Sequence, residues 1–363
     1  MDHAEIVRAA AGAYVRTRPA VRLLADLIET LTAGPGPGVL HPVDPVAGWA
    51  DPRAATVTAW VHTRAPGVLT VAPPPAGAWL GVQVTDLLGR VVLTAGSADP
   101  VTGPWTRVLD RGSRQGPEVD WVRVDAVALA GRAPLRRAAL DLVDLRAART
   151  APGTPVPPSP GDFPAQLHTL LALGQPDPGT EAAGWAALLH ADRGAVARGA
   201  ALGESLIRDA ALRGSAAGAA ELDRAIRAAQ GLERLDPQTV HTTLVPTAGG
   251  ETARGDRAYR LVLDPDQLAH ARGGWTLSTH RLPDGRHEPA PHASAAGRRA
   301  HPGTATALVQ HARPAHLPDG TRWLRSPRGA YAVLLRLYQP TTQALRGELV
   351  SPVLRTDRPE ARP

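Results

Sequence analysis

Arg336 stands in the middle of "YAVLLRLYQP", an apolar run in which branched and aromatic residues dictate a strand from Tyr331 to Tyr338. Side chains alternate along a strand, so Tyr331, Val333, Leu335 and Leu337 share one face, and Ala332, Leu334, Arg336 and Tyr338 share the other. A guanidinium between a leucine and a tyrosine needs water, an internal carboxylate or a bound anion. With the Tyr338 hydroxyl beside it, its fork suits a carboxylate or a phosphate, so Arg336 and Tyr338 form a candidate ligand-binding pair. The alternatives are a structural ion pair and a wet face.

Upstream, "GGWTLSTHR" puts Trp275, Leu277 and Thr279 on one face and Thr276, Ser278 and His280 on the other. That second face is wholly polar, and it is either solvated or part of a cleft. His280 is its one group able to move protons near neutral pH, which makes it a candidate acid or base. Asp86, closing "GVQVTD", is the second candidate catalytic residue; at a strand end it is also placed to cap the following turn. Trp275 and Trp323 are candidate ligand-binding aromatics, or core residues. His270, His280, His287, His292, His301, His311 and His316 crowd the C-terminal half without a standard ligand spacing, so no metal site is expected.

Composition excludes much else. The 363 residues contain no Cys, Lys or Asn. No Schiff-base lysine, phosphate-loop lysine, thiol nucleophile or zinc-thiolate site can exist, and no cofactor is expected. The formal net charge is only +6, and the basic residues are scattered arginines, so nucleic acid is not an expected partner. Abundant Ala, Gly and Pro point to a GC-rich bacterial genome. "DHAEIVRAAAGAYVRT" carries charges where a signal peptide is apolar, and no long uncharged apolar stretch follows, so a cytoplasmic chain without membrane contact is expected. No G-x-S-x-G elbow and no G-x-G-x-x-G after a strand is present.

These residues need elements to hold them. Two helices are expected first, from Glu5 to about Thr17 and then from Pro19 through "AVRLLADLIETL", stopped by "AGPGPG". Strands follow at "ATVTAWVHT", "GVLTVA", "AWLGVQVTD", "RVVLTAG" and "EVDWVRVDAVALA", spaced as an antiparallel sandwich or partial barrel. Leu135 to Ala148 reads as helix. The proline-dense stretch from Thr150 to Pro164 reads as a stiff linker, dividing an N-terminal domain (1–149) from a C-terminal one (165–363). The latter begins with Ala-rich helices to about Leu235 and ends in strands. The expected fold class is α+β, predominantly β, with two antiparallel sandwich or jelly-roll-like domains.

The ordered pieces "RAYRLVL", "GGWTLSTHRLPDG", "TALVQHARPAHLPDGTRWL" and "RGAYAVLLRLYQPTTQALRGELVSPVLR" resemble the domain of unknown function 1214. "GAYVRTRPAV" and "DPRAATVTAWVHTRAPGVLTVAPP" resemble its usual N-terminal partner, the domain of unknown function 1254. The resemblance implies two β-rich domains and no assigned reaction. Several signature positions differ: Gly274 replaces an aromatic, His280-Arg281 replaces Tyr-Asp, Arg322 replaces Asn, and the partner's Pro-Asn-x-Asp-Thr-Leu-Tyr segment has lost its Asn, Asp and Tyr. Those losses favour a protein that binds a small anionic or sugar-like molecule without established catalysis. The alternative is a hydrolase or lyase acting on a small carboxylate or sugar-like compound. Oligomeric state is not readable from the sequence.

Overall fold

The computed structural model describes residues 1–43, 51–65, 67–76, 78–97, 104–111, 117, 119–130, 133–147, 149, 162–173, 180–213, 220–229, 238–282, 294–297, 305–346, 348–349 and 352–357. Most of the expected linker, 150–161, lies outside these residues, as do His287, His292 and His301.

The chain opens with a single helix, α1 (His3–Thr32). Asp2 and Glu5 form a reciprocal capping box at its start: the Asp2 carboxylate accepts from the Glu5 N–H, and the Asp2 N–H donates to the Glu5 carboxylate. The expected break before Pro19 does not occur. Proline removes one ladder hydrogen bond, at a cost of about 3 kcal/mol in a regular helix. The stripe Ala10, Ala13, Ala20, Leu23, Leu24 and Leu27 runs buried through both halves, however, and tertiary packing of that stripe carries the helix across.

Next come β1 (His41–Pro42), β2 (Ala54–His62), β3 (Gly67–Val71), β4 (Ala78–Asp86), β5 (Val91–Gly96), β6 (Trp105–Leu109), β7 (Trp121–Ala130), α2 (Ala133–Leu140) and β8 (Val143–Arg146). The expected helix to Ala148 is therefore cut short. In "VDLR" the apolar residues alternate with polar ones, and this segment pairs with β3 instead. Two antiparallel sheets result, β1-β2-β7-β4-β5 and β6-β3-β8. Val61, Leu80, Val82, Val122 and Val124 from the first pack on Leu69, Val71, Leu109 and Val143 from the second.

Four helices follow: α3 (Phe163–Leu173), α4 (Thr180–Leu189), α5 (Arg193–Arg213) and α6 (Ala220–Ala229). Although α3 begins only at the end of the expected linker and the others come after it, they pack against α1, with Phe163, Leu167, Leu170, Trp185 and Val196 meeting Leu24, Leu27 and the indoles of Trp60 and Trp121. The helical layer thus draws on both sides of the linker.

Close approach of α1 and α5 depends on two glycines one turn apart. A Cβ at Gly199 would lie 2.5 Å from Ala10 Cβ and 2.6 Å from the Val7 carbonyl oxygen, and one at Gly203 would lie 2.9 Å from Tyr14. Gly199→Ala should accordingly destabilise the protein by about 1–3 kcal/mol through overpacking, against the roughly 1 kcal/mol that alanine gains in an isolated helix. Urea titration of the variant checks the sign, and a gain in stability would refute the close packing.

The last portion contains β9 (Val240–Leu244), β10 (Ala253–Arg254), β11 (Tyr259–Leu263), α7 (Pro265–Ala269), β12 (Ala271–Arg281), β13 (Ser294–Gly297), β14 (Ala305–Gln310), β15 (Thr321–Arg325), β16 (Ala330–Pro340), α8 (Thr342–Leu345) and β17 (Arg355–Thr356). One sheet runs β10-β16-β12-β13 with β9 also on β16, and the other runs β15-β14-β11-β17. Pairing is antiparallel except between β14 and β15, which lie parallel. Between the sheets Tyr259, Leu261, Val309 and Leu324 meet Trp275, Leu277, Tyr331, Val333, Leu335 and Leu337. The architecture is α+β and mostly β, and among the described residues no sheet closes into a barrel. Nor is any described helix long and apolar enough to cross a membrane.

Candidate functional site

β12 and β16 pair with Thr276 opposite Arg336 and Gly274 opposite Tyr338. One face of this pair is spent on the sandwich core, so parity sends Thr276, Ser278, His280, Arg336 and Tyr338 to the other face. That face is not wet. Thr276, Ser278 and His280 are fully buried, and Arg336 is 3% exposed.

Two hydrogen-bonded groups lie along it. Arg336 Nη1 donates to Ser278 Oγ at 2.8 Å, and the same hydroxyl meets His280 Nε2 at 2.8 Å. A hydroxyl has one proton and two acceptor positions, so Ser278 can accept from the guanidinium while donating to the imidazole. The second group is centred on Asp51, which precedes β2. Its Oδ2 accepts from both Thr276 Oγ1 and the Tyr338 hydroxyl, and its Oδ1 accepts from the Arg53 N–H at 2.8 Å. Burial first, and then the charge of Asp51, push the Tyr338 phenol well above its usual range; Arg336 acts in the opposite direction. Tyr338 therefore remains a hydrogen-bond donor at neutral pH.

The site sits where the two sandwiches meet. On the first sheet, the face away from its core carries Trp79, Val127 and Leu129, which cluster with Ala54, Val240 and Tyr338. The Trp79 and Tyr338 rings meet edge to face at 4.9 Å. Two residues along β7 from Val127 lies Asp125, fully buried, which holds the equally buried Arg123 through its Nε at 2.6 Å. Asp26 of α1 lies 3.7 Å from the same guanidinium and accepts from Trp60 Nε1 at 3.0 Å.

Of the residues singled out from sequence, the structure brings Arg336, Tyr338 and His280 onto one face and leaves the others elsewhere. Asp86 caps the turn after β4: Oδ1 accepts from the Leu88 and Arg90 N–H groups at 2.9 and 2.8 Å, while Oδ2 takes the Arg90 Nε–H. Its carboxylate is committed there, seven residues along β4 from the Trp79 that touches Tyr338. Trp275 is packed in the C-terminal core, under Arg322 at 5.9 Å. Trp323 is half-buried on β15 and donates to the Gln310 carbonyl at 3.0 Å. Among the described residues no three His, Asp or Glu groups gather as a metal site. Ser278, Thr276, Asp51 and Arg123 were not singled out from sequence. Parity alone points to the first two, since they share the face of His280.

These features define an α+β protein of two β-sandwiches with a buried polar seam between them. A domain described as "Protein of unknown function (DUF1214)" is found at residues 238–342, a span that holds Thr276, Ser278, His280, Arg336 and Tyr338 but not Asp51. No curated protein matches the chain. Among solved structures, the VPA0106 protein from Vibrio parahaemolyticus is similar over 97% of this chain and 100% of its own, at 14% identity and a TM-score of 0.67. An uncharacterised protein from Burkholderia cenocepacia is similar over 98% of this chain and 96% of its own, at 16% identity and a TM-score of 0.52. At such identities the likeness is one of fold.

Proposed function

We propose that this protein binds a small anionic or sugar-like molecule at the polar seam between its two sandwiches, without established catalysis. The observation that carries the reading is the convergence of Arg336, Ser278, His280, Thr276 and Tyr338 on one buried face, where hydrogen-bonding power is concentrated at the junction of two units. Junctions of this kind are common sites for small ligands. In this reading the N-terminal half is a divergent domain of unknown function 1254, and Asp51 supplies a polar contact to the C-terminal sheet.

Thermal midpoints measured with panels of small carboxylates, phosphates and monosaccharides test it. A ligand at a hundred times its Kd raises stability by about 2.7 kcal/mol. The expected result is a stabilising ligand whose effect vanishes in Arg336→Met and weakens in Ser278→Ala. A panel in which nothing binds, or in which the variants bind as well as the parent, refutes the reading.

A second reading, a hydrolase or lyase for a small carboxylate or sugar-like compound, is favoured by one observation. The 2.8 Å contact between Ser278 Oγ and His280 Nε2 is the distance of a nucleophile–base pair. Asp86, held by its own turn, has no part in it.

A further inference from the structure

We propose that Asp51 is a built-in substitute for the ligand: its carboxylate occupies the place of an external carboxylate, so the site is specific for small carboxylates and is held shut by the chain itself. The inference rests on the binding reading above and adds to it a ligand class and a means of regulation.

Burial is asymmetric across the contact. The donors, Thr276 and Tyr338, are 0% and 1% exposed and are built into the two central strands of a sheet. The acceptor is half-buried and precedes its strand, on a turn closed by the Ala54 N–H to the Asp51 carbonyl. Rotating one short side chain withdraws the carboxylate, whereas moving the donors would tear the sheet.

The donors also define what fits. Two hydroxyls aim at a single oxygen, and they come from positions 225 and 287 residues away in the chain. The buried guanidinium of Arg336 lies directly opposite Thr276 on the paired strand and two residues from Tyr338. A planar, singly charged carboxylate reproduces what Asp51 supplies. A phosphate would bring more oxygens than the two hydroxyl donors that now meet a single oxygen of Asp51.

A site whose competent form is a minor population binds with an apparent affinity reduced by that fraction. Removing the internal competitor should remove the penalty. The test is calorimetric titration of the full chain with sodium acetate, using sodium chloride at equal ionic strength as the control. Asp51→Ala should bind acetate at least about tenfold more tightly than the parent, and Asp51→Asn should also gain. Adding Tyr338→Phe to Asp51→Ala should take the gain away.

Parent binding that Arg336→Met abolishes, with no gain in either Asp51 variant, overturns this inference and leaves the binding reading standing. Absence of acetate binding in the parent and in both variants overturns this inference, and the binding reading falls with it only if phosphates and sugars fail as well. A gain that survives Tyr338→Phe places the carboxylate elsewhere and overturns it. If neither Asp51 variant folds, Asp51 is a structural strut and the inference is likewise overturned.

Discussion

Arg336→Met is expected to lower stability by about 3 kcal/mol, because the change strands buried polar groups. Methionine replaces most of the arginine stem, so the loss is one of hydrogen bonding and charge more than of volume. Ser278 loses the donor at 2.8 Å, and the Tyr338 hydroxyl that donates to Asp51 loses the field of a nearby cation. Lysine would keep the charge but not the planar fork, so Arg336→Lys should recover only part of the loss. Urea denaturation midpoints decide the matter. An unchanged midpoint would mean that the guanidinium has no internal role and that the face is wetter than its 3% exposure indicates.

Trp79→Ala should cost more, about 4 kcal/mol, in the range of large-to-small changes in well-packed cores. The indole is wedged against two glycines. A Cβ at Gly273 of β12 would lie 2.4 Å from its Cδ1, and one at Gly81 of its own strand would lie 2.5 Å from its Cη2. With the Tyr338 ring against its other side, Trp79 has little room to be replaced by neighbouring atoms, so truncation leaves a cavity. That cavity falls at the junction of the two sandwiches, and its cost should appear as weaker coupling between them. Unfolding followed by fluorescence and by circular dichroism should coincide in the parent and separate in the variant. A loss under about 1 kcal/mol would show that the junction collapses freely around the gap.

How much of this was legible in the sequence depends on whether the signal was local. Strands β2, β3, β4, β5, β7, β12 and β16 announce themselves by alternation. Parity along "GGWTLSTHR" and "YAVLLRLYQP" already separates Trp275 from Ser278 and Arg336. Alternation does not say what covers a face, so a polar face that reads equally as wet turned out to be buried. The misread elements have specific causes. Pro19 sits inside a stripe whose packing outweighs one lost hydrogen bond, and "VDLR" is too short for its period to show beside the helical α2. Asp51 had no local signal at all: it lies in "GWADPRA", which has no periodicity, and its partners are met only through the fold.

The packing of α1 against helices from beyond the linker bears on how the protein is made. During synthesis α1 emerges well before part of its cover: the stripe of Leu23, Leu24 and Leu27 packs on Trp60, Leu87 and Trp121, upstream of the linker, and on helices that begin only at Phe163. At roughly 5–20 residues per second, the interval before α5 is available is on the order of ten seconds or more. Through that interval the nascent chain can cover the stripe only on the side that meets Trp60, Leu87 and Trp121, and the side that meets Phe163, Leu167 and Leu170 stays open. The N-terminal sandwich is thus in a position to assemble on the ribosome, while the helical side of the cover over α1 must wait, which leaves that side of α1 open to a chaperone.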